Sequence, residues 1–203
     1  QTSINTPVSG SVATNDAGAL SVYSPVFTNS QPLAGTGTLT MNGSTGAYTF
    51  TPASGFTGTT TATYTLCNIS SPPCSTTTIT FSVYPTLSAT TDVVNTATGT
   101  AVSGSLLAND AGIVTGGTLA ATYSVNVTQP APGTGTIVVN PATGQYTFTP
   151  NPAFTGSAQT TYTVCNTSLT PQVCSTASII LNVLPNPAPV NDFSTTVANT
   201  SIT

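Results

Sequence analysis

Hydrophobic and polar residues alternate with a period of two along most of this chain. Runs such as Leu39-Thr40-Met41, Tyr48-Thr49-Phe50 and Ile79-Thr80-Phe81-Ser82-Val83 put every second side chain on one face. That is the geometry of a half-buried β-strand. The carriers are β-branched and aromatic, and Gly, Pro and Asn interrupt them at short intervals, as turns require. No stretch has the three-to-four spacing of a helical stripe. The clearest hairpin sets Leu39 and Met41 on one face, turns through Asn42-Gly43-Ser44-Thr45-Gly46, and returns with Tyr48 and Phe50 on the matching face.

The pattern occurs twice. Val8-Ser9-Gly10 with Asn15-Asp16-Ala17-Gly18 returns as Val102-Ser103-Gly104 with Asn109-Asp110-Ala111-Gly112, an offset of 102 − 8 = 94. Thr45-Gly46-Ala47-Tyr48-Thr49-Phe50-Thr51-Pro52 returns as Thr143-Gly144-Gln145-Tyr146-Thr147-Phe148-Thr149-Pro150, at 146 − 48 = 98, and Cys74-Ser75-Thr76 returns as Cys174-Ser175-Thr176, at 174 − 74 = 100. The offset grows only in loops, so each copy is one structural unit. Short alternating strands with frequent turn signals predict an all-β protein of two tandem immunoglobulin-like β-sandwiches. The expected divisions are 1–85, a first repeat lacking its first strand; 86–185, a second repeat; and 186–203, the start of a third. In that last segment Asp192 to Thr203 lines up with Asp92 to Ser103, which makes Asp192, Phe193, Val197 and Ile202 candidate donor-strand residues for a following repeat or a neighbouring subunit.

Four cysteines fall at equivalent places, and without histidine no Cys-His zinc site can form, so Cys67 with Cys74 and Cys165 with Cys174 are expected as one disulfide per repeat. Parity places them outside the core. If Tyr64 and Leu66 point inward, Cys67 points outward, and Cys165 stands in the same relation to Tyr162 and Val164. Such a bridge clamps the last hairpin and contributes on the order of 2 kcal/mol by the chain-entropy argument. A redox pair is the alternative, but the spacing is wider than Cys-X-X-Cys and no cation lowers a thiol pKa.

Composition then removes whole classes of function. Among 203 residues there is no Lys, Arg or His, and the four acids are Asp16, Asp92, Asp110 and Asp192. Phosphates cannot be neutralised and anionic lipid cannot be held, so nucleic acid and electrostatic membrane docking are excluded as partners. Hydroxyl nucleophiles abound, yet no side chain exists to activate one, and no enzyme is expected. A hydrophobic share of 38% with a net charge of −4 argues for a folded chain. No run of about 18 apolar residues predicts a membrane span, and the start at Gln1 lacks signal-peptide regions, so the sequence reads as a mature or excised piece. Asn42, Asn68, Asn126, Asn166 and Asn199 each head an Asn-X-Ser/Thr acceptor sequence.

Taken together, Asn109-Asp110 after Leu106-Leu107, Gly37-Thr38-Leu39-Thr40, the Thr-Gly-X-Tyr-Thr-Phe-Thr-Pro element, Gly55-Phe56-Thr57-Gly58 and Tyr64-Thr65-Leu66 resemble the bacterial Ig-like or cadherin-like tandem repeats of large surface adhesins. The resemblance implies extracellular modules at the bacterial cell surface that carry load or space out a distal domain, with neighbouring repeats or identical subunits head to tail as partners. It also raises calcium as a cofactor, with Asp16, Asp92, Asp110 and Asp192 as candidates. Calcium takes six to eight oxygens and this chain offers few carboxylates, so turn capping by Asn15-Asp16 and Asn109-Asp110 is the simpler expectation. The functional alternative is a module binding surface glycan or a host ligand through Tyr23 and Tyr123.

Overall fold

The computed structural model describes residues 1–16, 25–68, 74–193, 195 and 198. Copy one comprises β1 (Thr2–Ser3), β2 (Val8–Ser11), β3 (Pro25–Asn29), β4 (Gly37–Met41), β5 (Ala47–Pro52), β6 (Gly58–Asn68) and β7 (Ser75–Tyr84). Copy two comprises β8 (Asp92–Ala97), β9 (Val102–Ser105), β10 (Tyr123–Val127), β11 (Gly135–Val139), β12 (Gln145–Pro150), β13 (Gly156–Asn166) and β14 (Val173–Leu184). Each copy has a four-stranded and a three-stranded sheet, ordered β1-β7-β6-β3 with β2-β5-β4, and β10-β13-β14-β8 with β11-β12-β9. Helix among the described residues is limited to single 3-10 turns at Val12–Thr14 and Gly117–Leu119. Each copy is therefore an immunoglobulin-like sandwich of two sheets.

The register follows the alternation. In the β4–β5 hairpin Leu39 faces Phe50 and Met41 faces Tyr48, and in copy two Ile137 faces Phe148 and Val139 faces Tyr146. The repeated Val-Ser-Gly has a steric cause. A Cβ on Gly10 would lie 2.6 Å from the Tyr48 hydroxyl, and one on Gly104 would lie 2.7 Å from that of Tyr146. Only glycine lets these tyrosines lie across the neighbouring strand.

The two cores differ in one respect. Copy two has one continuous core, running from Leu87 and Val94 through Val125, Phe148 and Tyr162 to Leu181 and Val183. Among the described residues, copy one shows two clusters, one around Phe27 and Tyr64 and one around Phe50, Phe81 and Val83. In the second of these, Phe81 stands where copy two has Leu181 and stacks on Phe50 at 4.1 Å between ring centroids.

Copy one, expected to lack its first strand, has one at Thr2–Ser3. Thr2 and Ser3 pair in parallel with Val83 and Tyr84, as Thr96 and Ala97 of β8 pair with Val183 and Leu184.

Candidate functional site

The linker between the copies, residues 85–91, is held by the repeated Asn-Asp-Ala-Gly segment. Ser88 and Ala111 exchange two backbone hydrogen bonds, of 3.0 and 2.9 Å. The Thr90 N–H donates to Asp110 Oδ1 at 2.8 Å, Asn109 Nδ2 donates to the Thr91 carbonyl at 3.1 Å, and the Ala89 N–H donates to Ser175 Oγ at 2.8 Å. Gly112, at φ +80°, lies so close that an added Cβ would stand 2.2 Å from the Thr86 carbonyl oxygen. The expectation that Asn109 and Asp110 cap their own turn is therefore corrected, because their side chains reach 18 to 20 residues back to fasten the linker.

Beneath the linker, the Tyr162 hydroxyl lies 2.6 Å from Asp110 Oδ1 and 2.9 Å from the Thr90 carbonyl. Burial, this hydrogen bond and the two nearby carboxylates hold its pKa far above the ordinary tyrosine value. Asp92 is drawn into the same region. Its pKa is pushed up to about 6, first by burial and then by the Asp110 charge, against the opposing hydrogen bond from Tyr162. One oxygen each of Asp92 and Asp110 is buried with no hydrogen-bond partner among the described residues.

These atoms do not fit calcium. The pair supplies two carboxylates, Asn109 turns its amide nitrogen toward the linker, and the described residues hold no group of three or more His, Cys, Asp or Glu able to hold a metal. In copy one Tyr64 donates to both oxygens of Asp16 at 3.0 Å, and Asp192 is exposed.

The second feature is a sheet edge. In copy two, β8 runs parallel along β14, and residues 92–95 pair with 179–182. Val94 there is 3% exposed and closes the core. In copy one, among the described residues, β7 pairs with β6 on one side and with β1 at Val83 and Tyr84 on the other. Elsewhere the protein shields an edge. The side-chain amide of Gln31 both donates to the Leu39 carbonyl and accepts from its N–H, as Gln129 does with Ile137, so side chains occupy the outer rims of β4 and β11.

Of the candidate donor-strand residues, Asp192 is exposed and Phe193 is 88% exposed, whereas Val197 and Ile202 lie outside the described residues, as does Tyr23. Tyr123 is no surface ligand contact. It is 8% exposed, and its hydroxyl accepts from the Val114 N–H at 2.7 Å and donates to the Gly112 carbonyl at 3.2 Å.

Both disulfides, Cys67–Cys74 and Cys165–Cys174, clamp the hairpins β6–β7 and β13–β14. Cys165 keeps its outward parity beside the buried Val164 yet is only 9% exposed. The hairpin tip beyond it folds over: Ser168 accepts from the Thr122 N–H, and Leu169 lines a cleft with residues 1–3 and 6–8 of copy one. Position at the junction thus overrides what parity alone predicts. Among the described residues no helix is long and apolar enough to cross a membrane.

The likeness to solved structures is remote. The chain is 15% identical to the endo-fucoidan hydrolase MfFcnA4 from glycoside hydrolase family 107, over 81% of this chain and 24% of that one, with a TM-score of 0.34. It is 14% identical to the human desmocollin-1 ectodomain, over 83% of this chain and 34% of that one, at 0.38. It is 11% identical to human protocadherin-24 EC1-2, over 81% of this chain and 83% of that one, at 0.39. The chain thus spans about a quarter of the hydrolase and a third of the desmocollin ectodomain. No curated protein matches it. The family model of the bacterial Ig domain matches residues 1–83 and again 84–182, in step with the two sandwiches. The chain belongs to the bacterial Ig domain family, in two tandem copies.

Proposed function

We propose that this protein is a structural module of an extracellular bacterial fibre or adhesin stalk, joined head to tail by strand addition along β7. The observation carrying the reading is the tandem build: two bacterial Ig sandwiches, each with its last hairpin clamped by a disulfide, and in copy two a first strand laid in parallel on β14. An uncovered edge offers main-chain hydrogen bonds to a donated strand. The tail supplies one in sequence, since residues 192–195 align with 92–95 at an offset of 100. Because donor and acceptor are different surfaces, residues 192–195 and the edge of β7, the contact is heterologous and extends head to tail instead of closing into a dimer. Disulfide-clamped hairpins and a fastened linker suit a part that bears tension, and disulfides persist outside the reducing cytosol. With no Lys, Arg, His or Glu, the four aspartates are the chain's only charged side chains, which offers little for acid-base or nucleophilic chemistry.

Engineered cross-links test the register. The pairing of Val93 with Ile180 places Phe193 opposite Thr80. A chain carrying both Thr80→Cys and Phe193→Cys should oxidise to a covalent ladder of chain multiples, while Thr80→Cys with Thr195→Cys, two places out of register, should yield little. Equal ladders from both, or none from either, would refute strand addition in this register.

A further inference from the structure

The β4–β5 and β11–β12 hairpins both turn through an asparagine. Asn42 and Asn140 stand at equivalent places just past β4 and β11, and both are exposed. In each the side-chain oxygen folds back over the turn. Asn42 Oδ1 accepts from the Ser44 and Thr45 N–H groups at 2.9 and 3.0 Å, and Asn140 Oδ1 accepts from the Ala142 N–H at 3.0 Å. Their main-chain carbonyls are held alike, by the N–H groups of Gly46 and Gly144, each at 2.9 Å. The next residue separates the copies: it is Gly43 in copy one and Pro141 in copy two. Both of these residues tie the turn to the facing sheet, since the Gly43 carbonyl accepts from the Phe27 N–H at 2.7 Å and the Pro141 carbonyl from the Val125 N–H at 2.8 Å. Among the chain's asparagines, Asn42 alone precedes a glycine.

We infer that Asn42 is a site of spontaneous covalent modification, at which the Gly43 nitrogen attacks the Asn42 side-chain carbonyl carbon and closes a succinimide ring. The new bond joins Gly43 N to Asn42 Cγ. The bond from Cγ to Nδ2 breaks, and that nitrogen leaves as ammonia with the proton that Gly43 gives up. Water then opens the ring: cleavage at Cγ leaves aspartate, and cleavage at the main-chain carbonyl carbon leaves isoaspartate, with the chain rerouted through the side chain. The turn favours the first step in two ways. Glycine puts no Cβ beside the attacking nitrogen, and the two N–H groups on Oδ1 polarise the carbonyl and face the charge that gathers on that oxygen as the nitrogen adds. Exposure of residues 42–45 admits the water for the second. Copy two keeps the electrophile without the nucleophile, because a proline nitrogen has no hydrogen to lose. Either product adds an acidic side chain to a chain that has four, and erases Asn42 as a glycan acceptor. Isoaspartate does more. Its longer main chain displaces the Gly43 carbonyl from the N–H of Phe27, which is 3% exposed and belongs to a core cluster of copy one, so that copy loosens while copy two does not.

The test is to age the full chain in warm, mildly alkaline buffer. Anion-exchange chromatography separates species with an added negative charge, and mass spectrometry of chymotryptic fragments locates the change. The unaltered chain should yield aspartate and isoaspartate at Asn42, in step with released ammonia, while Asn140 keeps its amide. Gly43→Pro copies the turn that Pro141 already makes in copy two, so it should lose the conversion with circular dichroism unchanged. Pro141→Gly should gain the conversion at Asn140. The isolated isoaspartate fraction should show a lower melting temperature for copy one and an unchanged one for copy two. Conversion of Asn42 in Gly43→Pro as fast as in the unaltered chain, or aspartate formed without isoaspartate, would overturn the cyclisation. An unaltered chain whose Asn42 keeps its amide throughout would overturn the site itself. An isoaspartate fraction that melts like the fresh chain would refute the coupling of the turn to the core through Phe27.

Discussion

Asp92 shows how much one side chain can record about a junction. Its carboxyl is held up at about 6 by burial and by Asp110, with Tyr146 and Tyr162 also facing it. The unfolded chain releases that proton near pH 4. The folded state therefore binds the proton more tightly, and this stabilising contribution is complete below the unfolded value and lost as pH rises through about 6. In calorimetry, the transition of copy two should move up between about pH 7.5 and pH 4.5, and Asp92→Asn should flatten that dependence. An unaltered slope in the variant would remove Asp92 from the explanation. The repeated Asn-Asp was plain in the sequence, and so was the repeated Tyr-Thr-X-Cys. What could not be read was that Asp110 and Tyr162 meet across 52 positions, because periodicity reports which way a side chain points and says nothing of its distant partner. The turn-cap reading of Asn109-Asp110 went wrong for that reason, and Tyr123 was mistaken for a surface group because an aromatic at a strand end reads alike in a core and on a rim.

At the level of elements, the alternation and the Asn-Gly turn identify β4 and β5, the longest alternating runs identify β6 and β7, and their second-copy equivalents follow. The parallel pairing of β8 with β14 was invisible, since it joins residues 87 positions apart with no local turn to announce it. Two outcomes follow at this scale. Replacing Cys165 and Cys174 by serine opens a short loop and should cost copy two about 2 kcal/mol, a fall of roughly 10 °C in its melting temperature, with copy one unaffected. A fall in both transitions would show that the clamp acts through the junction. In the donated strand, Ser194 occupies the place of the core residue Val94. Ser194→Val in a labelled peptide spanning residues 186–203 should therefore tighten its binding to the full chain several-fold through added apolar burial, while Phe193→Ala, at an outward place like that of the half-exposed Val93, should change it little. The reverse order would mean that the strand enters one residue out of step, with its faces exchanged.

For the whole molecule, the picture is of two similar beads that differ at one edge. Copy two lays its first strand β8 in parallel on β14, and copy one lays Thr2 and Ser3 in parallel on Val83 and Tyr84. With a charged share of 2%, contacts between copies rest on main-chain hydrogen bonds and apolar burial, so assembly should be nearly indifferent to sodium chloride between about 0.05 and 1 M. A steep decline with salt would point to an electrostatic interface that this composition cannot build. The most direct trial of the account is sedimentation velocity of the 203-residue chain over a wide concentration range, beside the same chain ending at residue 185. The account requires an open series of species at successive multiples of 20.2 kDa that disappears with the tail. A strictly monomeric chain at every concentration, or a closed dimer that survives loss of the tail, would contradict it.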